Sequence, residues 1–320
     1  MSKKNKLWII IAISLLAVGL LIFAGAMIAL DFDFTKLSTV KYETNTYEVS
    51  EDFNKISIDA DTTEIEFVLS NNKQCKIVCF EKEKVKHSAT VKDGTLTIGT
   101  VDTCKWYDYI GFSFGESKIT VYLPKTEYAS LLIKGSTGDI EIPKDFEFDT
   151  VDISASTGAV ECYASASELM RIKLSTGAVW VENVSVGTLD LSVTTGGVTA
   201  SSINCEGDIK VAVSTGKTKL TDISCKGVIS SGSTGDVILK NVIAAENFSI
   251  ERSTGDVIFE GSDAAEIYVK TSTGDVTCTL LSEKVFITET NTGSVNVPKT
   301  VTGGKCEIIT STGDIQIDIQ

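Results

Sequence analysis

The chain has 320 residues, 42% of them hydrophobic, with 25 glycines, 3 prolines and a net charge of −14. That composition excludes a low-complexity tract and describes a folded protein. The first thirty residues carry three lysines and no acids; beyond them 26 basic residues face 43 acidic ones, a balance of −17 that argues against a nucleic-acid partner.

Residues 1–6 are expected to form a short cytoplasmic tail. Leu7 to Leu30 carry no charge. As a helix they span roughly 36 Å, enough for a hydrocarbon core of about 30 Å, so 7–30 is read as a transmembrane helix. Lys3, Lys4 and Lys6 precede it and Asp31 and Asp33 follow. The positive-inside rule then leaves the N-terminus in the cytoplasm and the rest extracytoplasmic. Ala24-Gly25-Ala26 also fits a signal-peptide cleavage site, but the apolar stretch is long for one, so a retained single-pass anchor is expected. Residues 31–50 are polar and read as a stalk.

Residues 51–130 are expected to be a β-rich N-terminal cap continuous with the repeats C-terminal to it. Phe53 to Phe67 resembles one repeat unit, with Ile56, Ile58, Ile65 and Phe67 inward and Thr62-Thr63 at the turn. Lys76–Phe80, His87–Val91, Thr95–Thr97 and Lys118–Leu123 read as strands, and Lys92-Asp93-Gly94 as a hairpin turn. Between the last two strands lies an aromatic segment, Trp106, Tyr107, Tyr109, Phe112 and Phe114. Aromatics with polar tips are enriched at binding surfaces, which makes these five the interaction candidates. The competing expectation is that they pack over the open end of the core.

Residues 131–320 repeat. Ser/Thr/Asn-Thr-Gly recurs ten times, at Gly138, Gly158, Gly177, Gly196, Gly216, Gly235, Gly255, Gly274, Gly293 and Gly313, always 19 or 20 residues apart. Around each glycine, apolar and polar residues alternate, the signature of half-buried strands. Two residues after the glycine stands a β-branched apolar residue, with Thr218 the exception. The unit is strand, Thr-Gly turn, strand, looser turn. No unit can bury its own apolar face, so the units must stack in parallel. The expected fold is all-β, a parallel β-solenoid of about ten coils. A propeller blade needs roughly twice this period, and no helical spacing recurs. The turn pairs, among them Thr137-Gly138, Thr157-Gly158, Thr176-Gly177, Thr234-Gly235, Thr254-Gly255 and Thr273-Gly274, are read as structural, the glycine supplying a positive φ.

Asp236, Asp256 and Asp275 follow three consecutive turn glycines and should form a column at about 4.8 Å spacing. Like charges that close invite a cation, yet the pattern is not a calcium repeat, and turn aspartate is the plainer reading. No cofactor is expected. The outward positions show no cluster of carboxylates with a base, so no catalytic residue is assigned and the chain is read as non-enzymatic. Cys162, Cys278 and Cys306 occupy inward columns and read as small hydrophobes. Cys205 and Cys225 stack in neighbouring coils, close enough for a bridge without requiring one, and Cys104 is the expected partner for Cys75 or Cys79. With His87 as the single histidine, a Cys₂His₂ site is excluded. The last repeat ends at Gln320, which is expected to leave an open strand edge suited to self-association.

The membrane segment, the strand Ile119-Thr120-Val121-Tyr122-Leu123 followed by Pro124, and the Ser-Thr-Gly-Asp-Val units together resemble the bacterial "putative adhesin" β-strand-repeat family, a domain of unknown function. The resemblance covers roughly residues 50–320 and supplies no catalytic residues. It implies a β-solenoid at the cell envelope that serves as an adhesion or interaction surface for an envelope protein or surface polymer. The alternative it implies is an envelope-stress surveillance ectodomain that binds cationic peptides or a membrane partner. A carbohydrate-active enzyme is a weaker third reading.

Overall fold

The computed structural model describes residues 3–33, 36, 38, 40–71, 74–109 and 115–320. An N-terminal helix, Lys3–Ala29, precedes strands that join into one 21-stranded sheet wound as a solenoid. The repeats pair in parallel with turn on turn: Thr157 lies opposite Thr137 and Thr176, and Gly158 opposite Gly177. In the column five residues before the glycine, Ile133, Ile153, Ile172, Leu191, Val211, Ile250, Val269 and Ile308 are buried. Each such side chain contributes about 1.5–3 kcal/mol of transfer energy, and stacking makes the column continuous.

All ten turn glycines have φ between +123° and +152°. A second constraint is added by the stacking. A Cβ on any of them would lie 1.4–2.3 Å from a carbonyl oxygen of the adjacent coil. The glycine N–H donates to the threonine carbonyl one coil on, as Gly216 does to Thr234 at 2.8 Å. The threonine side chains of the six turn pairs lie exposed, so the turn is held by backbone. The looser turn has its own marker: Asn183, Ser202, Asp222, Asn241 and Gly261, each six residues after a turn glycine, have φ of +52° to +59°. Asn, Asp and Gly tolerate that left-handed conformation best.

At the N-terminal end, Lys55–Thr62 and Glu64–Leu69 form a coil with Ile56, Ile58, Ile65 and Phe67 buried. One side of it pairs with Glu127–Thr137 and Ile140–Ile142, the other with Thr95–Asp102 and Lys118–Leu123. The outermost parallel coil is therefore built by Thr95–Asp102 and Lys118–Leu123, although both follow 55–69 in sequence. Cys75–Lys82 pairs antiparallel with Lys118–Leu123 and Tyr42–Val49, and Val85–Lys92 with Thr95–Asp102. These antiparallel strands cover part of that coil's edge, so Tyr42–Val49 belongs to the cap and not to the expected 31–50 stalk.

The C-terminal end repeats the device and corrects one expectation. The last repeat is not the last coil. Gly304–Thr312 lies between Asp263–Thr273 and Lys284–Thr292, and Ile315–Ile319 between Val276–Leu280 and Val295–Asn296. The open edge belongs to the Gly293 coil, with Val285, Ile287 and Val295 40–49% exposed. Pro298 and the pair Gly303-Gly304 mark the reversal. A Cβ on Gly304 would sit 1.8 Å from the Ala265 carbonyl oxygen, so only glycine lets this strand enter. Engineered disulfides check the order. Thr273→Cys with Thr312→Cys, in register on adjacent strands, is expected to cross-link on mild oxidation. Thr273→Cys with Thr292→Cys, two strands and about 9.6 Å apart, is expected to remain reduced in peptide mapping.

All eight cysteines are free thiols. Cys162, Cys278 and Cys306 are buried in the core, and so are Cys205 and Cys225, whose column is filled by Val186, Ala244 and Ala264 in other coils. Cys104 is half-buried and unbridged, so neither expected pairing is formed.

Candidate functional site

Trp106–Tyr109 forms one turn of 3-10 helix on the outermost N-terminal coil. Asp108 builds it. Its carboxylate accepts the Lys105 N–H at 2.8 Å and pairs with Lys84 of the neighbouring hairpin, while the Asp108 N–H donates to the Lys105 carbonyl at 2.8 Å. The Lys84 ammonium, followed by the Lys105 N–H, holds the Asp108 carboxyl below its ordinary range. Thr103 adds backbone and hydroxyl bonds to the Lys84 carbonyl, at 2.9 and 2.8 Å.

On this pinned turn Trp106 is 77% and Tyr107 48% exposed. Their rings meet edge to face, centroids 5.9 Å apart. Neither packs over the open end of the core; the apolar interior there is filled by Ile77, Cys79, Leu96 and Ile119 instead. The backbone of Tyr109 completes the turn, whereas Phe112 and Phe114 lie outside the described residues. Two adjacent aromatics, with Lys105 beside them, thus present ring surface to solvent. Residues 115–117, just beyond, help line a cleft of about 350 Å³ with Tyr42, Glu64, Lys82 and the turns at 137–138 and 157–158.

The aspartate column forms, with an added member. Asp256 N–H donates to Asp236 Oδ1 at 3.2 Å, Asp275 N–H to Asp256 Oδ1 at 2.8 Å, and Asp314 N–H to Asp275 Oδ1 at 2.8 Å. The inserted last coil brings Asp314 into line, and Ser294 bonds it in turn through N–H and hydroxyl. Those two bonds, the N–H first, hold the Asp314 carboxyl below its ordinary range. Each carboxylate thus clamps the backbone of the next turn, a reason for aspartate that needs no ion.

The sequence reading missed Arg252, buried to 4% exposure. Its Nη1 donates to the Val213 carbonyl at 2.9 Å, and its Nη2 to Thr218 Oγ1 at 2.9 Å and Ser230 Oγ at 3.1 Å. No carboxylate pairs with it among the described residues, and burial lowers its pKa. A signal was present. Thr218 and Ser230 are polar residues in inward columns, and a Cβ on Gly232 would lie 1.6 Å from Arg252 Nη1. Three coils are adapted to one guanidinium.

Comparison with known proteins settles the family. The family model described as Toastrack DUF4097 matches residues 53–212 and 203–320, which spans both the cap and every repeat. The chain belongs to the Toastrack family. No curated protein matches it. Among solved structures, a "putative adhesin" from Parabacteroides merdae is 14% identical, with a TM-score of 0.49 over 75% of this chain and 96% of that one. A "putative lipid binding protein" from Parabacteroides distasonis is 16% identical, with a TM-score of 0.48 over 75% and 97%. The Toastrack match thus agrees with the repeat solenoid and leaves the role of the exposed turn to be argued from its chemistry.

Proposed function

We propose that the chain is a single-pass membrane protein whose Toastrack solenoid faces outward and serves as a non-enzymatic adhesion or interaction surface of the bacterial envelope. Residues 1–6 form the cytoplasmic tail, 7–30 the anchor, the stretch up to Lys41 the stalk, 42–130 the cap and 131–320 the repeat scaffold. The observation that carries the reading is the pair Trp106–Tyr107, held out in solvent by Asp108 on a turn that gives the fold no core. Anchoring is supported by Asn5–Ala29, a helix of mean hydropathy 2.9 with none of its apolar window buried. The edge of the Gly293 coil, with Val285 and Ile287 exposed, is the surface suited to self-association. Protease treatment of intact cells is expected to remove the solenoid and leave a membrane-embedded fragment of the first few dozen residues. Complete protection until the cells are opened would refute the orientation.

A further inference from the structure

Cys79 and Glu81 alternate on the inner face of Cys75–Lys82, and His87 follows on Val85–Lys92. All three are buried: Cys79 and Glu81 at 0% exposure and His87 at 4%. Glu81 Oε2 lies 2.7 Å from His87 Nδ1 and accepts the His87 backbone N–H at 2.6 Å. Asn45 Nδ2 donates to Glu81 Oε1 at 2.7 Å, and the Tyr47 hydroxyl donates to the His87 carbonyl. The carboxylate and imidazole are thus fixed from three strands.

His87 Nε2 is left buried with no partner. Protonated, it is a donor without an acceptor; neutral, with Nδ1–H given to Glu81, it is a lone pair without a donor. Either state is costly in a dry interior. The ring nitrogen that faces the other candidate ligands is Nδ1, 2.7 Å from Glu81 Oε2, so an ion there takes the place of the proton they share and Nε2 carries the ring N–H. The Cys79 sulfur, a Glu81 oxygen and a His87 ring nitrogen all lie within 4.8 Å of one another. Ligand atoms around one ion, each about 2.0–2.3 Å from it, stand roughly 3–4 Å apart, so small side-chain movements suffice.

We propose that Cys79, Glu81 and His87 form a buried site for one zinc-type divalent cation. The mixed sulfur, nitrogen and oxygen set suits zinc and not magnesium or calcium. The charges close: one thiolate and one carboxylate balance the dication. The ion takes the place of the thiol proton, which leaves to solvent. That proton is otherwise held firmly, since burial, helped by Glu81, pushes the Cys79 thiol up to about 12. The ion cross-links the two strands of the 75–92 hairpin, which Asn45 already joins to Tyr42–Val49 through Glu81, and so reinforces the cap that carries the aromatic turn. Its ligands are invisible to a search for Cys₂His₂ spacing because they are a mixed set on two strands.

The test uses the full chain, untagged, in detergent, stripped with chelator and titrated with Co²⁺ and then Zn²⁺. One Co²⁺ per chain is expected, with a thiolate-to-cobalt charge-transfer band that Zn²⁺ abolishes. Cys79→Ala is expected to remove the band, and His87→Gln to weaken binding by about a hundredfold or more. Cys104→Ser, at the half-buried thiol outside the site, should leave both unchanged. A wild-type chain without the sulfur band overturns the proposal whether or not the variants fold, as does a band that survives Cys79→Ala or is lost in Cys104→Ser.

Discussion

Gly216→Ala is expected to lower the melting temperature by roughly 10 °C or more, the loss of about 4 kcal/mol that only a backbone conflict in the interior produces. Two costs combine. The residue sits at φ +139°, outside the range an L side chain adopts readily. The added methyl would also lie 1.4 Å from the Gly196 carbonyl oxygen, a backbone atom that cannot step aside without shifting its coil. Because Gly216 N–H also bonds Thr234, relief by moving away breaks the ladder on the other side. Gly99→Ala is the control. Nothing lies within 4 Å of its would-be Cβ, and alanine there should change stability by less than about 1 kcal/mol in either direction. Thermal unfolding of the two variants side by side separates the stacking role of the turn glycine from a general effect of adding a methyl.

Asp263→Ala is expected to cost about 3–5 kcal/mol, concentrated in the outermost C-terminal coil. Asp263 Oδ1 lies 2.7 Å from Lys284 Nζ, with the two side chains 12% and 4% exposed, and Ser282 donates to Asp263 Oδ2 at 2.6 Å. The pair joins the start of Asp263–Thr273 to the start of Lys284–Thr292 across the strand inserted between them. Removing the carboxylate leaves an ammonium in the interior without a counter-charge. Hydrogen exchange should therefore rise first over 284–296. The double variant Asp263→Leu/Lys284→Met should recover most of the loss, since a buried pair is expensive to break and cheap to replace. Glu260→Ala, which breaks a pair with Lys240 at 3.6 Å between half-exposed side chains, should cost about 1 kcal/mol or less.

The repeat, its parallel stacking and its inward columns were legible because burial imposes a period that glycine punctuates. Thr62-Thr63 was readable as a degenerate turn for the same reason: Ile56, Ile58, Ile65 and Phe67 keep the register around it. The order of coils was not legible. Every coil presents nearly the same apolar faces, so Ile308 fits on Val269 as well as Thr288 would, and neighbour identity leaves no periodic trace. Pro298 and Gly303-Gly304 mark the reversal only locally. Arg252 escaped because its compensation is spread over Thr218, Ser230 and Gly232, each of which alone reads as a weak column member. The aromatic segment was located, but whether its rings face the core or solvent depends on Asp108 and Lys84, which meet only when the cap folds.

The repeat is thus a scaffold, and the aromatic turn is the proposed point of contact. The most direct test is retention of the full-length protein, reconstituted in lipid, on bacterial envelope fragments. Trp106→Ala/Tyr107→Ala is expected to reduce retention by about tenfold or more while the melting temperature stays at the wild-type value. Undiminished retention by a folded double variant would contradict it.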